Sequence, residues 1–215
     1  MKIDFHVHTS FSPDASSTPK DLIKKSRELG ILPAITDHNT INAHKFFKES
    51  KIPFIPGEEI KSDVGDLIAL FIQEEIPKGT PFLDCLDKIK EQGGVSILPH
   101  GFDPYRSNVG SKYSEYAKKV DVVEIFNAHC LNQKQNNKAK EFAIKNKKLF
   151  SCGGDSHHLF EFGKTYAELP EFDLENPKSL LKSLKKIKIH GKILPFFTRV
   201  NVSIRSKFCQ LKNLF

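Results

Sequence analysis

The sequence predicts an α/β barrel of seven strands with a metal-binding site at the carboxyl ends of those strands. Three observations predict it. Short apolar runs bounded by Gly or Pro alternate with helical stretches, the pattern of strands buried on both faces of a parallel sheet. Five of those runs carry or lead into residues able to ligate a metal, which gathers them at the face where barrel enzymes keep their active sites. The first run, Asp4-Phe5-His6-Val7-His8-Thr9, is the sharpest. Side chains two apart on a strand share a face, so His6 and His8 present two imidazoles to one point, and neutral imidazole is the commonest metal ligand.

Taken in order, strands are expected near 2–6, 31–36, 52–56, 67–72, 95–99, 121–126 and 148–152. Helices are expected near 19–29, 41–50, 80–92, 132–147 and 177–188. Thr18-Pro19 supplies a hydroxyl N-cap with Pro in the first turn, and Gly30 a stop. The 31–36 run leads into Asp37-His38, the 52–57 run into Glu58-Glu59, the 95–99 run into His100, and the 148–154 run into Asp155-Ser156-His157-His158. Asp84, Cys85, Leu86, Ile89 and Gly93-Gly94 describe an amphipathic helix that delivers the His100 strand. Residues 101–118 lack periodicity, and Asp103-Pro104-Tyr105-Arg106-Ser107-Asn108 reads as a loop over the site, where rim loops set substrate choice.

These segments resemble the PHP family, named for polymerase and histidinol phosphatase. The resemblance rests on Asp4–Ala15, Ile35-Thr36-Asp37-His38-Asn39, Pro56-Gly57-Glu58-Glu59-Ile60, Leu98-Pro99-His100, Glu124-Ile125-Phe126-Asn127-Ala128 and Gly154-Asp155-Ser156-His157, in the family's order. It covers about three quarters of the chain. It implies a distorted seven-stranded (β/α)7 barrel holding two or three divalent metals, with phosphoester hydrolysis as the commonest activity. Carried over residue by residue, His6, His8, Glu59 and Asp155 hold a first metal. Glu59 bridges to a second metal that takes His100, and Asp14, His38 and His157 hold a third. Glu58 competes with Glu59, but the family register favours Glu59. Glu59, Asp155 and His157 are the expected catalytic residues. Asp66 falls where relatives place a His, and is either a ligand or a surface-turn residue. His129 stands where an Arg often follows the family's Asn-Ala, so it either contacts phosphate or has no role at the rim. His158 and Arg106 are candidate substrate contacts. Imidazole and carboxylate without thiolate suit Zn, Mn or Fe better than Mg.

Composition narrows the class. One domain core is the simplest reading at 215 residues, with residues 1–190 as the phosphoesterase domain and 191–215 as a strap docked on it. No apolar stretch reaches the roughly 18 residues of a membrane span, and Met1-Lys2 leads straight into the first strand. Cys85, Cys130, Cys152 and Cys209 lack paired spacing, which argues against a thiolate zinc site or a disulfide scaffold and for a reducing cytoplasm. The net charge of +7 belongs to the last forty residues: Asn176–Phe215 contains ten Lys and Arg and no acid, leaving 23 basic against 26 acidic groups before it. Three functions are open: hydrolysis of a phosphate ester of a small metabolite or nucleotide, a nuclease or oligonucleotide phosphatase, and a non-catalytic scaffold. The intact ligand set speaks against the scaffold. A basic tail can recruit nucleic acid, yet Ile193, Leu194, Phe196, Phe197, Val200, Val202, Ile204 and Phe208 are too apolar for a free arm. Deleting 190–215 is therefore expected to lower solubility and melting temperature by uncovering apolar surface. A well-folded truncation that loses salt-sensitive oligonucleotide binding would reverse that expectation.

Overall fold

The structure, a computed structural model, describes residues 1–103 and 115–212. Arg106 and most of the expected rim loop lie outside the described residues. The elements run β1 (Lys2–Val7), α1 (Pro19–Leu29), β2 (Leu32–Ile35), α2 (His44–Ser50), β3 (Ile55–Lys61), β4 (Asp66–Leu70), α3 (Phe82–Glu91), β5 (Val95–Leu98) and β6 (Val122–Asn127). They continue with α4 (Gln133–Lys145), β7 (Leu149–Gly153), β8 (Tyr166–Glu168), α5 (Pro177–Leu184), β9 (Lys188–His190) and α6 (Phe196–Lys212). Capping explains several boundaries. Thr18 accepts from the Asp21 N–H and Gly30 closes α1 in the left-handed region. Asn132 and Gln135 make a reciprocal capping box on α4.

The strands form one sheet in the order β7-β6-β5-β4-β3-β2-β1-β8-β9. The sheet nearly closes on itself, because Val7 bridges Ser156 beyond the end of β7. The His8 N–H donates to the Ser156 carbonyl at 3.0 Å and the Ser156 N–H to the His6 carbonyl at 3.3 Å. The barrel class expected from the sequence is therefore present, with nine strands among the described residues where seven were expected, and with mixed directions. β4 pairs antiparallel with both β3 and β5. Its link from β3 is only Ser62-Asp63-Val64-Gly65, far shorter than the dozen or so residues a parallel crossover needs. The Ser62 hydroxyl accepts from the Val64 and Gly65 N–H groups and tightens that turn. β8 and β9 add antiparallel to the lower edge of β1.

Alternation along the strands separates core from site. Ile55, Ile68, Ile97 and Val122 share one apolar cluster with Ile3 and Phe5. Residues of the same parity nearer the site, Glu59 on β3, Asp66 on β4 and Glu124 on β6, replace that apolar surface with carboxylates. The opposite faces pack under helices: Ile60, Leu67, Ala69 and Val123 with Phe82, Ile89 and Ala139 of α3 and α4, and Val7 and Ile35 with Leu22 and Phe47 of α1 and α2. Each fully buried side chain of this size contributes about 2 kcal/mol. His44 is structural, as its position in a helix implied. It is buried, and burial lowers its imidazole to about 4, so the neutral ring accepts the Gly57 N–H at 3.2 Å.

Glu58 shows the same parity rule from the other side. It points away from Glu59 and is buried, and its Oε2 accepts the Ile76 N–H at 3.0 Å. Burial pushes the carboxyl up to about 8 against the lowering effect of that bond. Its folded pKa thus lies above its ordinary 4.5, so its contribution is fully present below that ordinary value and is lost as pH rises through about 8. Glu58→Gln is expected to flatten the fall in melting temperature between about pH 5 and pH 9, followed by calorimetry. The slope that remains belongs to Asp4, whose carboxyl burial also raises to about 8, and to the other groups raised in the fold, Asp37, His6, His38 and His157. Identical pH profiles for both proteins would show that Glu58 ionises freely in the fold.

Candidate metal centre

The strand ends bring nine of the sequence-predicted residues to one place. Around one point stand His6 and His8 of the first strand segment, Glu59 of β3 and Asp155 after β7. His6 Nε2 lies 3.3 Å from Glu59 Oε2 and 3.5 Å from Asp155 Oδ1, and His8 Nε2 lies 3.4 Å from each of the same two oxygens. Four donors about 2.1 Å from a shared tetrahedral ion would stand roughly 3.4 Å apart. Among the described residues, His6 Nε2, His8 Nε2 and Glu59 Oε2 are buried and have no hydrogen-bond partner. Buried polar atoms are rarely left so, and a cation accounts for all three at once. The residues therefore fit a metal.

Two further groups adjoin this one. Donor atoms of Glu59, Asp66 and His100 lie within 4.8 Å of one another, as do those of His8, His38 and His157. The His100 ring meets the second Glu59 oxygen at 2.9 Å, so the two oxygens of one carboxylate face two groups. Asp14 Oδ2 stands 3.5 Å from both His38 Nε2 and His157 Nε2. Asp66 is brought to the cluster because β4 runs antiparallel and starts at the site end, beside Lys61, whose ammonium lies 3.0 Å from its carboxylate.

The histidines are oriented by a layer of partners, as metal-ligating histidines are. His6 Nδ1 lies 3.1 Å from Glu124 Oε1, while the other Glu124 oxygen accepts the His100 N–H at 2.7 Å and the Asn127 amide at 3.0 Å. His8 Nδ1 meets the Ser12 hydroxyl at 3.1 Å, which donates to Asp37 at 2.8 Å. Asp37 also accepts both the N–H and the hydroxyl of Thr9. His157 Nδ1 donates to the Asp155 carbonyl at 2.8 Å, leaving Nε2 toward Asp14. Asp155 and His100 adopt positive φ values of 53° and 29°, conformations that are strained for L residues and gather at functional sites.

The charges are mutually stabilised. Burial disfavours the Glu59 carboxylate, but His6 and His38 outweigh it and hold the group well below its usual range. Burial likewise opposes charge on His6, yet Asp155, Glu59 and Glu124 raise it well above 6.5. His8 differs. Burial, with the charges of His157 and His38, lowers it to about 3, so it offers a lone pair throughout the neutral range.

Of the rim candidates, His129 Nε2 lies 2.7 Å from Glu161 Oε1, and its ring is 5.9 Å from that of His157. His158 turns from the cluster to the Ser16 hydroxyl at 2.6 Å. The sequence reading missed Glu161. It is buried, and its Oε2 accepts the N–H groups of both His157 and His158, at 3.0 and 2.8 Å. A Glu three and four residues after a His pair was the available signal.

Comparison with known proteins bears on the fold and the family. Residues 4–98 match the PHP domain and residues 133–189 the PHP-associated region. Uncharacterized protein MJ0417 of Methanocaldococcus jannaschii is 38% identical over 186 residues, covering 84% of this chain and 75% of its own. The chain belongs to the PHP family. A second uncharacterized protein of that organism, MJ1587, is 37% identical over 67% of this chain and 92% of its own. Two solved structures share the PHP-type fold at low identity. A Bifidobacterium adolescentis protein described as a candidate metal-dependent phosphoesterase has a TM-score of 0.59 at 19% identity, over 72% of this chain and 87% of its own. A lesion-specific endonuclease from Pyrococcus furiosus has a TM-score of 0.65 at 13% identity, over 87% of this chain and 57% of its own.

Gly153 is the tightest point of the PHP site. A Cβ there would lie 2.2 Å from His6 Cβ and 2.4 Å from Glu124 Oε1. Gly153→Ala must push β1 from β7, and is expected to weaken divalent-metal affinity by about 10-fold or more and to lower the melting temperature. Titration with Mn or Zn and a thermal melt test both, and wild-type affinity in the variant would show the approach to be slack.

Proposed function

We propose that this PHP protein is a metal-dependent phosphoesterase that hydrolyses a phosphate ester of a small metabolite or nucleotide. One observation carries the reading: two buried imidazole nitrogens, from His6 and His8, each stand 3.3 to 3.5 Å from a carboxylate oxygen of Glu59 and one of Asp155, donors brought from three separate segments. The donor set of imidazoles and carboxylates suits Zn, Mn or Fe. Divalent cations in such a site supply Lewis-acid charge and lower the pKa of water.

In this reading His6, His8, Glu59 and Asp155 hold one ion, Glu59 shares its second oxygen with His100 and Asp66, and Asp14, His38 and His157 form the third position. Glu59, Asp155 and His157 touch the reacting phosphate's surroundings. His129, held at Glu161, offers its ring to a phosphoryl oxygen. Glu124 and the Ser12–Asp37 pair keep His6 and His8 from rotating away, which preserves the site geometry when ions exchange. Residues 1–190 constitute the phosphoesterase unit, and 191–215 a strap upon it. Arg199 supports the strap, because it donates to the Cys130 and Leu131 carbonyls at 2.9 and 2.6 Å. No helix among the described residues is long and apolar enough to cross a membrane.

The test is a panel of metabolite phosphates, nucleotides and oligonucleotides offered to apo-protein reloaded separately with Mn, Zn, Fe or Mg. Hydrolysis of small esters under Mn, Zn or Fe is expected. Glu59→Gln should cut kcat by about 100-fold or more with the fold retained, since a neutral amide bridges two cations poorly. Near-normal turnover with unchanged metal content would remove the bridging role, and activity confined to oligonucleotides would replace the small substrate with nucleic acid.

A further inference from the structure

Beside the metal-ligand cluster, on its His129 side, lies a cavity of about 520 Å³. One wall is α6, which presents Phe196, Val200 and Ile204; Leu131 contributes from the segment after β6. The wall is fastened to the body at several points. Arg199 donates to the Cys130 and Leu131 carbonyls, and the Leu194 N–H donates to the Ala128 carbonyl at 2.9 Å. Val202 is buried, and the Arg205 guanidinium sits 5.7 Å over the Phe160 ring. His129 lines the cavity and also stands against His157. The cavity and the candidate metal centre are thus neighbours with one shared residue.

We propose that this cavity is the leaving-group pocket, and that it takes a planar, largely apolar group, making aryl or nucleoside phosphates preferred over polyol or sugar phosphates. The proposal rests on the phosphoesterase reading above. Its volume falls in the range of small-molecule sites, which are mostly apolar with a few polar groups. Four apolar side chains form the wall surface, and Phe196, more than half exposed, offers a ring face for stacking. Asp103 also lies on the lining, and His129 is the lining residue that stands against His157, which places the phosphoryl end on the His129 side. Among the described residues the lining carries Arg199, which is engaged with carbonyls, and Lys207. The chemistry agrees with an apolar pocket. Hydrolysis joins the oxygen of water to phosphorus, breaks the bond from phosphorus to the ester oxygen and delivers a proton to that oxygen. The organic product leaves as a neutral alcohol or phenol.

Val200→Asp and Ile204→Asp place a carboxylate in the wall at partly exposed positions where folding tolerates it. Phe197→Asp, on the same helix but off the lining, is the control. With Mn-loaded protein, the wall variants are expected to raise KM for phenyl phosphate and AMP about 10-fold with kcat little changed, and to leave glycerol phosphate within about twofold. Calorimetry with phenylphosphonate, which cannot be hydrolysed, should show a matching weakening of about 10-fold that the control does not share. Equal effects on all three esters, or unchanged phenylphosphonate affinity, would overturn the pocket. If no ester is turned over by the wild type while phenylphosphonate binding still depends on Val200 and Ile204, the phosphoesterase reading fails and the pocket stands.

Discussion

The grouping of His6 and His8 with Asp155 in the candidate centre depends on how closely β1 passes β7. His6 stands over Gly153 with no room for a methyl group between them. Asp4 accepts the Gly154 N–H at 2.8 Å and the His6 N–H at 3.2 Å, so one buried carboxyl spans the seam. That approach puts Asp155 opposite the two imidazoles of the first strand segment. It also lets Glu124, one strand further, reach His6 and His100 together. A larger residue at either glycine would separate ligands contributed by opposite ends of the chain. Packing in such an interior does not yield by even a methylene without consequence.

Above that seam the site is a set of carboxylates held in low-dielectric surroundings by imidazoles. Unpaired, such buried charges would cost several kcal/mol each. Here Glu59 has four histidines within 3.5 Å of its oxygens, and the second carboxylate layer is satisfied by backbone N–H groups together with the His6 imidazole and Asn127 amide at Glu124, hydroxyls at Asp37 and the His129 imidazole at Glu161. The outer layer fixes ring orientation and turns the inner nitrogens toward the carboxylates of Glu59 and Asp155. This division of labour, with orientation outside and ligating atoms gathered inside, makes the cluster suited to a cation.

Much of this was legible in the sequence, and for physical reasons. His6 and His8 could be placed together because a strand repeats every two residues. Between Glu58 and Glu59 the residues alone left a choice, which only the family resemblance decided; in the fold the Glu58 carboxyl accepts the Ile76 N–H. Asp66 could not be decided, because its position depends on the direction of β4, which a four-residue turn sets. β8 and β9 are three residues each, too short to carry a period, and the helical stretch expected to reach residue 188 ends at Leu184. The apolar character of the last segment was evident, but its form as α6 was not, since its apolar positions lie on more than one face. Glu161 escaped notice because its bonds to the backbone N–H groups of His157 and His158 leave only its spacing after the His pair as a signal. Ser12 was equally invisible, although it links His8 to Asp37.

The seam has a further consequence, for the order in which the chain folds. Val7 and Ser156 meet across about 150 residues of intervening chain, among the most distant pairings in the sheet, and closing a loop of that length carries an entropic cost that local contacts do not. The β3–β4 hairpin and the neighbouring β5 need no such closure. Chains dominated by non-local pairings fold slowly, and here the slow step coincides with bringing His6 and His8 to Asp155. The groups that would grip an ion are thus brought together only when the first strand finds the seventh, so the chemical centre forms with a long-range closure of the sheet and not with its local hairpins.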